Sequence, residues 1–105
     1  MWLVLLPFIA VGGQYVHQTF YRIKDKSLLG NVTAVREVKS ALDCSFICLQ
    51  YGPFACLSFN LNTRKNENGF QLCEISNSER YLEPHKVQER LSYDYYGTTI
   101  EVRSF

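Results

Sequence analysis

The chain has 105 residues and a formal net charge of +1, with 47% hydrophobic and 20% charged residues. This composition excludes a disordered tail, and the small net charge gives no general attraction to nucleic acid or anionic membranes. One domain of this size buries only about 60 to 65% of the surface that its unfolded chain exposes, so covalent cross-links would stabilise it substantially.

The N-terminus carries an uninterrupted apolar run, Trp2 to Val11. Its length is typical of the hydrophobic region of a signal peptide, whereas a membrane-spanning helix needs about 20 residues. Gly13 supplies a small residue for cleavage, so we expect a signal peptide over 1–13 and a mature domain over 14–105. The alternative is a buried strand or an uncleaved anchor. With cleavage, the product is secreted and keeps no membrane span.

The segment "FYRIKDK" predicts a strand over residues 19–26. Tyr21 and Ile23 would then point inward. Basic residues occupy every second position on the other side: Arg22, Lys24 and Lys26. This row would suit a sulfated glycan or an acidic protein surface. The alternative is the ordinary solvated face of an antiparallel sheet.

Asn31 begins a sequon, "Asn31-Val32-Thr33", directly after Gly30. A turn is expected at this position, which would expose the asparagine. In an exported protein it would be a glycosylation site.

A helix is predicted over residues 41–50. Ser40 provides the N-cap, Asp43 lies three residues later as a capping-box partner, and Gly52-Pro53 ends the segment. Cys44 and Cys48 would lie on one face of this helix, one turn apart.

The four cysteines admit three interpretations. A zinc site would use Cys44 and Cys48, but Cys56 and Cys73 are too far apart in sequence to form a second close pair, and the histidines, His17 and His85, stand in unrelated contexts. A redox dithiol would need a C-x-x-C motif. In an exported chain of this size an even number of cysteines favours structural disulfides.

Two further strands are predicted, over 56–62 and 69–75, joined by the polar loop "TRKNENG". Neighbouring cysteines on one helix are poorly placed to bond each other and better placed to reach two adjacent strands. The pairing is therefore expected to be nested. Cys48 would bond Cys56 across the short connection, and Cys44 would bond Cys73 on the second strand.

A set of short motifs resembles the PAN/Apple domain family. The motifs are "C-x3-C-L" from Cys44, "C-x-S-F-N" from Cys56, "L-C-E-I" from Leu72 and "YDYY" from Tyr93. The resemblance covers about residues 18–97. It includes the segment "LLGNVTAVREVKSALDCSFICL", Leu28 to Leu49, in which a strand and a turn precede the predicted helix. The tyrosines of "YDYY" are expected to pack on the core.

This resemblance implies an α+β fold in which a single helix packs on a curved antiparallel sheet of about five strands. It implies the same two disulfides, as in the four-cysteine PAN variant. The implied function is a secreted extracellular module that binds a protein or a carbohydrate without catalysis, cofactor or metal. A small secreted inhibitor or toxin-like effector, and a self-associating matrix component, are the alternative functions. No motif for a catalytic nucleophile, a metalloprotease or a phosphate-binding loop is present in the sequence.

Overall fold

A computed structural model of the chain describes Ala10–Val11, Gln14–Tyr15, residues 20–52 and residues 54–98. Helix α1 spans Ala41–Tyr51, and a 3-10 turn spans Pro84–Lys86. The strands are β1 (Ala10–Val11), β2 (Gln14–Tyr15), β3 (Phe20–Ile23), β4 (Lys26–Leu28), β5 (Val32–Val38), β6 (Ser58–Asn62), β7 (Gln71–Ser76), β8 (Val87–Glu89) and β9 (Tyr93–Thr98). Apart from Ala10 and Val11, the predicted signal peptide lies outside the described residues.

The principal sheet has five antiparallel strands in the order β3-β9-β6-β7-β5. Strands β4 and β8 form a second, two-stranded sheet, and β1 pairs with β2. The predicted α+β fold, with one helix on about five antiparallel strands, is confirmed. The predicted strands over 56–62 and 69–75 correspond to β6 and β7.

Helix α1 begins where the sequence predicts. The Ser40 Oγ accepts a hydrogen bond from the Asp43 N–H at 3.2 Å, and the Asp43 carboxylate accepts one from the Lys39 N–H at 3.2 Å. The first bond satisfies an N–H group of the first helical turn that has no intrahelical acceptor, and the second ties Asp43 to the backbone just before the N-cap. The helix ends at Gly52, whose φ of 92° is a conformation that glycine tolerates best. It is one residue longer than predicted.

Two disulfides fix the helix to the sheet. Cys44 bonds Cys73 of β7, and Cys48 bonds Cys56 just before β6, with Cα–Cα distances of 5.8 and 5.2 Å. These are the pairs expected from the sequence. They take up the chain's four cysteines, and all four residues are buried.

The core on the helix side of the sheet is centred on Phe59, which is fully buried. Phe20 contacts the Phe59 ring edge-on at 5.1 Å, and Tyr96 stacks against it at 4.8 Å between ring centroids. Tyr95 is fully buried as well. The structure thus shows Tyr95 and Tyr96 of the "YDYY" segment packed in the interior, as expected.

The opposite face of the sheet is covered by β4 and β8. The Asn60 side chain accepts from the Leu28 N–H at 2.9 Å and donates to the Leu28 C=O at 3.0 Å, so one amide pairs with the backbone of β4 as a neighbouring strand would. Arg90 makes two bonds to the Glu74 carboxylate, at 2.9 and 3.2 Å, and its guanidinium lies over the Tyr93 ring. These contacts tie the second sheet to the first.

The prediction of one strand over residues 19–26 is wrong. Strand β3 ends at Ile23, and Asp25 adopts a φ of 56° before β4 begins at Lys26. The turn is held because the Asp25 N–H donates to the Asp94 carboxylate at 3.1 Å, a residue far away in sequence. Tyr21 does not point inward, since it is 56% exposed.

Candidate functional site

The loop 63–69 between β6 and β7 is organised by Asn66. Its backbone N–H donates to the Phe70 C=O at 2.8 Å, and its side-chain oxygen accepts from the N–H groups of Asn68 and Phe70 at 2.9 and 3.0 Å. Gly69 closes the turn with a φ of 84° and an N–H that donates to the Asn66 C=O at 2.9 Å. The loop therefore has a defined conformation despite its exposure.

Side-chain contacts join this loop to the end of β5. The Asn66 Nδ2 donates to the Glu37 carboxylate at 3.1 Å, and the Lys65 ammonium donates to the Lys39 C=O at 3.3 Å. The Lys39 ammonium lies 5.9 Å from the centroid of the Phe70 ring. Loop, strand and aromatic ring thus form one surface at this end of the molecule.

Two concave regions share Phe70 and Glu37. The first, the helix-side cleft, has a volume of about 380 Å³ and is also lined by Val38, Lys39, Asp43, Phe46 and Ile47. The second, the loop-side cleft, has a volume of about 290 Å³ and is also lined by Asn62, Arg64, Lys65, Asn66 and Leu72. The first is walled mainly by apolar side chains and the second mainly by polar ones.

The charged groups around the loop-side cleft differ in whether they already contact a partner within the protein. Within the part of the chain that the structure describes, neither Arg64 nor Lys65 lies within salt-bridge distance of a carboxylate. By contrast, the Glu37 carboxylate already accepts a hydrogen bond from Asn66. The two cations are exposed on a loop whose backbone is already held by hydrogen bonds, so an acidic group of a ligand can bind them without ordering the loop backbone.

The predicted basic row is not a single row on one strand. Arg22 lies on β3, where it approaches Asp94 at 3.8 Å and keeps 60% of its side chain exposed. Lys24 lies in the turn and is exposed, whereas Lys26 begins β4 and is half-buried. The turn at Asp25 therefore separates the three cations that a continuous strand would have aligned.

Asn31, the sequon asparagine, is half-buried at the start of β5. Its amide nitrogen donates to the Asn77 side chain at 3.3 Å, and its oxygen accepts from the Lys86 ammonium at 3.0 Å. A glycosylated asparagine keeps one N–H and its carbonyl oxygen, so both contacts are compatible with a glycan at this position.

The carboxylates and histidines of the described residues do not form a cluster that could hold a metal ion. His85 is exposed in the 3-10 turn, and His17 lies outside the described residues. Glu74 is occupied by Arg90, and within the described ranges no three His, Cys, Asp or Glu side chains converge on a common point. The groups that the structure does bring together are suited to noncovalent binding.

Sequence reasoning singled out the loop but not the residues that organise it. Asn66 and Phe70 carry no recognisable motif. The available signal was an asparagine three residues before a glycine, followed by an aromatic residue, which is a common arrangement at the end of a hairpin loop. The partners on β5 could not be identified because they come from a distant part of the chain.

Comparisons with known proteins agree with this architecture. The family model described as PAN domain matches residues 17–99. No curated protein and no solved structure gives a significant match. Within the described residues, no helix combines the length and apolarity needed to cross a membrane.

Proposed function

Because this chain belongs to the PAN domain family, whose members are protein- or carbohydrate-interaction modules, we propose that it is a secreted, non-catalytic recognition module. The observation that carries the proposal is the loop-side cleft. Its cations stand on a loop that Asn66 holds in one conformation, on a scaffold braced by two disulfides. A site ordered before binding loses little conformational entropy when the ligand arrives.

Secretion is supported by the composition of the chain. Its cysteines form two buried disulfides, which persist in oxidising compartments. The apolar run before Gly13 has the length of a signal peptide, and Asn31 offers a glycosylation sequon. Non-reducing peptide mass spectrometry of protein secreted from eukaryotic cells would test all three features. A mature N-terminus at Gln14 and glycan on Asn31 are expected, and retention of residues 1–13 would contradict the proposal.

The ligand is an extracellular protein or glycan with acidic groups, because the cations of the cleft, Arg64 and Lys65, have no carboxylate within salt-bridge distance among the described residues. The Phe70 ring between the two clefts adds an apolar surface against which a sugar ring or an apolar side chain can pack. The β3–β4 turn region is the second candidate surface, favoured by the 60% exposure of the Arg22 side chain.

Heparin, used as a sulfated-glycan probe, separates the two surfaces. The first variant replaces Arg64 and Lys65 with Ser, and the matched control replaces the cations around the β3–β4 turn, Arg22, Lys24 and Lys26, with Ser. We expect the loop variant to elute from a heparin column at much lower salt, and the turn variant to shift less although it loses one more charge. The reverse order would assign binding to the β3–β4 turn region.

Wild-type protein that flows through the heparin column would exclude a sulfated glycan and leave a protein ligand. The same variants would then be tested against an array of purified extracellular domains by surface plasmon resonance. Loss of a wild-type signal in the loop variant alone is the expected result. Inhibition of a protease or an ion channel at low concentration would instead indicate the effector function.

A further inference from the structure

Asn68 directly precedes Gly69 in the loop 63–69, which also carries the cations of the loop-side cleft. In an Asn-Gly sequence the backbone nitrogen of glycine can attack the asparagine side-chain amide, because glycine has no Cβ to hinder the approach. The other five asparagines of the chain are each followed by a residue with a side chain. Asparagine is one of the residues whose chemical lability limits the lifetime of proteins. The sequence at Asn68 is therefore the most favourable in this chain for spontaneous deamidation.

The structure also separates Asn68 from the other asparagines. Each of the other five side chains makes at least one hydrogen bond within the protein: those of Asn31, Asn60, Asn62, Asn66 and Asn77. Asn68 is exposed, and among the described residues no group bonds its side-chain amide. Its backbone N–H alone donates, to the Asn66 side chain at 2.9 Å. The Asn68 side chain is thus free to rotate toward the nitrogen of the next residue.

The turn over residues 66–69 controls how readily the reaction starts. The Gly69 N–H donates to the Asn66 C=O at 2.9 Å and closes this turn. To attack, the Gly69 nitrogen must lose its proton and leave that hydrogen bond. Two further bonds, from the N–H groups of Asn68 and Phe70 to the Asn66 side chain, hold the same turn. The intact loop should therefore react slowly, and opening of the turn should accelerate the reaction.

We propose that Asn68 is a deamidation site through which the loop loses positive charge with time, an inference that rests on the proposed recognition function. The Gly69 nitrogen forms a bond to the Asn68 Cγ, and the bond between Cγ and Nδ2 breaks. The proton of the Gly69 nitrogen reaches the leaving group through solvent, so that ammonia departs and a cyclic imide remains. Water then opens the imide at either carbonyl, which yields aspartate or isoaspartate.

The product carries a carboxylate that is ionised at neutral pH, on the same loop as Arg64 and Lys65. Because the loop contains these two cations and Glu67, its formal charge falls from +1 to zero. Position 68 is three residues from Lys65, so their Cα atoms are at most about 11 Å apart, which is close to the Debye length of about 8 Å at physiological ionic strength. At about 10 Å in water, before screening, the new charge weakens the binding of each ligand anion roughly twofold. A polyanion should lose more.

Peptide mass spectrometry on the full secreted protein, aged in mildly alkaline buffer, measures the reaction. We expect the mass increase from amide to carboxylate to appear at Asn68 before any other asparagine, with isoaspartate among the products. Denatured protein should react faster, because unfolding frees the Gly69 N–H. Modification that begins at another asparagine would overturn the proposal. So would folded protein that stays unmodified at Asn68 for far longer than the denatured protein needs to react.

Asn66→Ala tests the control by the turn. This variant lacks the side-chain acceptor that holds the N–H groups of Asn68 and Phe70, so Asn68 should deamidate faster than in the wild type. Asn62→Ala is the matched control, because it removes one exposed bond, to the Arg64 N–H, outside the turn. Its Asn68 should react at the wild-type rate. Circular dichroism verifies that both variants are folded. Equal rates in the two variants would exclude the role of the turn.

Two substitutions at Asn68 connect the modification to binding. Asn68→Asp carries the charge of the product, whereas Asn68→Gln keeps a neutral amide and reacts more slowly because its cyclic imide is a larger ring. We expect Asn68→Asp to elute from a heparin column at lower salt than the wild type, and Asn68→Gln to elute with the wild type. Aged wild type should divide into two fractions, with the deamidated protein eluting first. An Asn68→Asp protein that elutes with the wild type would overturn the effect on binding.

This inference and the proposed recognition function can fail separately. Mass spectrometry at Asn68 needs no ligand, whereas the Arg64 and Lys65 variants are measured by binding. If the wild type flows through heparin, the Asn68 variants are compared on the protein ligand identified by surface plasmon resonance. A protein that deamidates at Asn68 but has no ligand would remove the recognition function and the effect on it. A protein that binds through its cations but never reacts at Asn68 would remove only this inference.

Discussion

Asn60→Leu is the substitution that best tests how the two sheets are joined. Asn60 is fully buried, and its amide contacts the Leu28 N–H at 2.9 Å, the Leu28 C=O at 3.0 Å and the Glu74 carboxylate at 3.0 Å. Leucine has a similar shape but cannot donate or accept a hydrogen bond. The substitution would therefore leave both backbone groups of Leu28 buried without a partner.

The expected loss is large for a domain of this size. Each orphaned backbone group costs about 1 to 3 kcal/mol, and the additional apolar burial of leucine offsets part of that sum. We expect the free energy of unfolding to fall by about 2 to 4 kcal/mol, against a typical total of about 5 to 15 kcal/mol. For fewer than 100 folded residues this corresponds to a decrease in Tm of roughly 10 to 25 °C.

Urea denaturation followed by tyrosine fluorescence measures the loss, and hydrogen exchange locates it. The Leu28 amide should exchange faster in the variant, because its acceptor is gone. Asn62→Leu is the matched control. Asn62 lies two residues along the same strand, and its side chain accepts one exposed bond from the Arg64 N–H at 2.9 Å, so we expect a loss of less than about 1 kcal/mol. An Asn60→Leu protein as stable as this control would refute the reasoning.

Three other predictions concern the face of the principal sheet opposite α1 and the 3-10 turn. Gly97→Ala should lower the urea midpoint strongly, because a Cβ there would lie 2.6 Å from the Tyr95 hydroxyl. Burial raises the pKa of Tyr95. Its contribution to stability is therefore full below the unfolded pKa of about 10 and decreases as pH rises through the folded pKa. An NMR titration should show Tyr95 ionising above about pH 10, and ionisation at or below that pH would contradict the prediction. Hydrogen bonds from Ser78 and, to a smaller extent, from Lys86 lower the pKa of Glu83. The contribution of Glu83 to stability is therefore present above its unfolded pKa and is lost as pH falls through its folded pKa. NMR titration should show the pKa of Glu83 rising in Lys86→Met, and an unchanged pKa would exclude the Lys86 contribution.

The features that the sequence predicted correctly are those with local causes. The N-cap at Ser40 and the glycine at position 52 set the ends of α1 from within the segment itself. The disulfide pairing followed from spacing, since Cys44 and Cys48 lie one turn apart on a helix and thus face the sheet together, whereas the fold class was predicted from the resemblance to the PAN/Apple family. The loop 63–69 was predictable because polar turn-forming residues separate two apolar segments.

The features that sequence reasoning missed have their causes far away in the chain. Residues 19–26 were predicted to form one strand because basic residues alternate regularly with other residues along the segment. The chain turns at Asp25 because its N–H bonds Asp94 on β9 and because β4 pairs with β8. No pattern within eight residues could reveal either partner. The same holds for Asn60, whose role depends on Leu28, 32 positions away.

The turn at Asp25 also changes where binding is expected. A continuous strand would have made a row of three cations. In the structure, the Asp94 carboxylate instead holds the turn between β3 and β4 and lies 3.8 Å from Arg22. Part of that positive charge is therefore balanced within the fold. Arg64 and Lys65 have no such carboxylate among the described residues, and their loop is fixed by its own asparagine. A cation already near a carboxylate gains less from an acidic ligand than one without such a neighbour, so we expect the loop to bind an acidic ligand more strongly than the β3–β4 turn region.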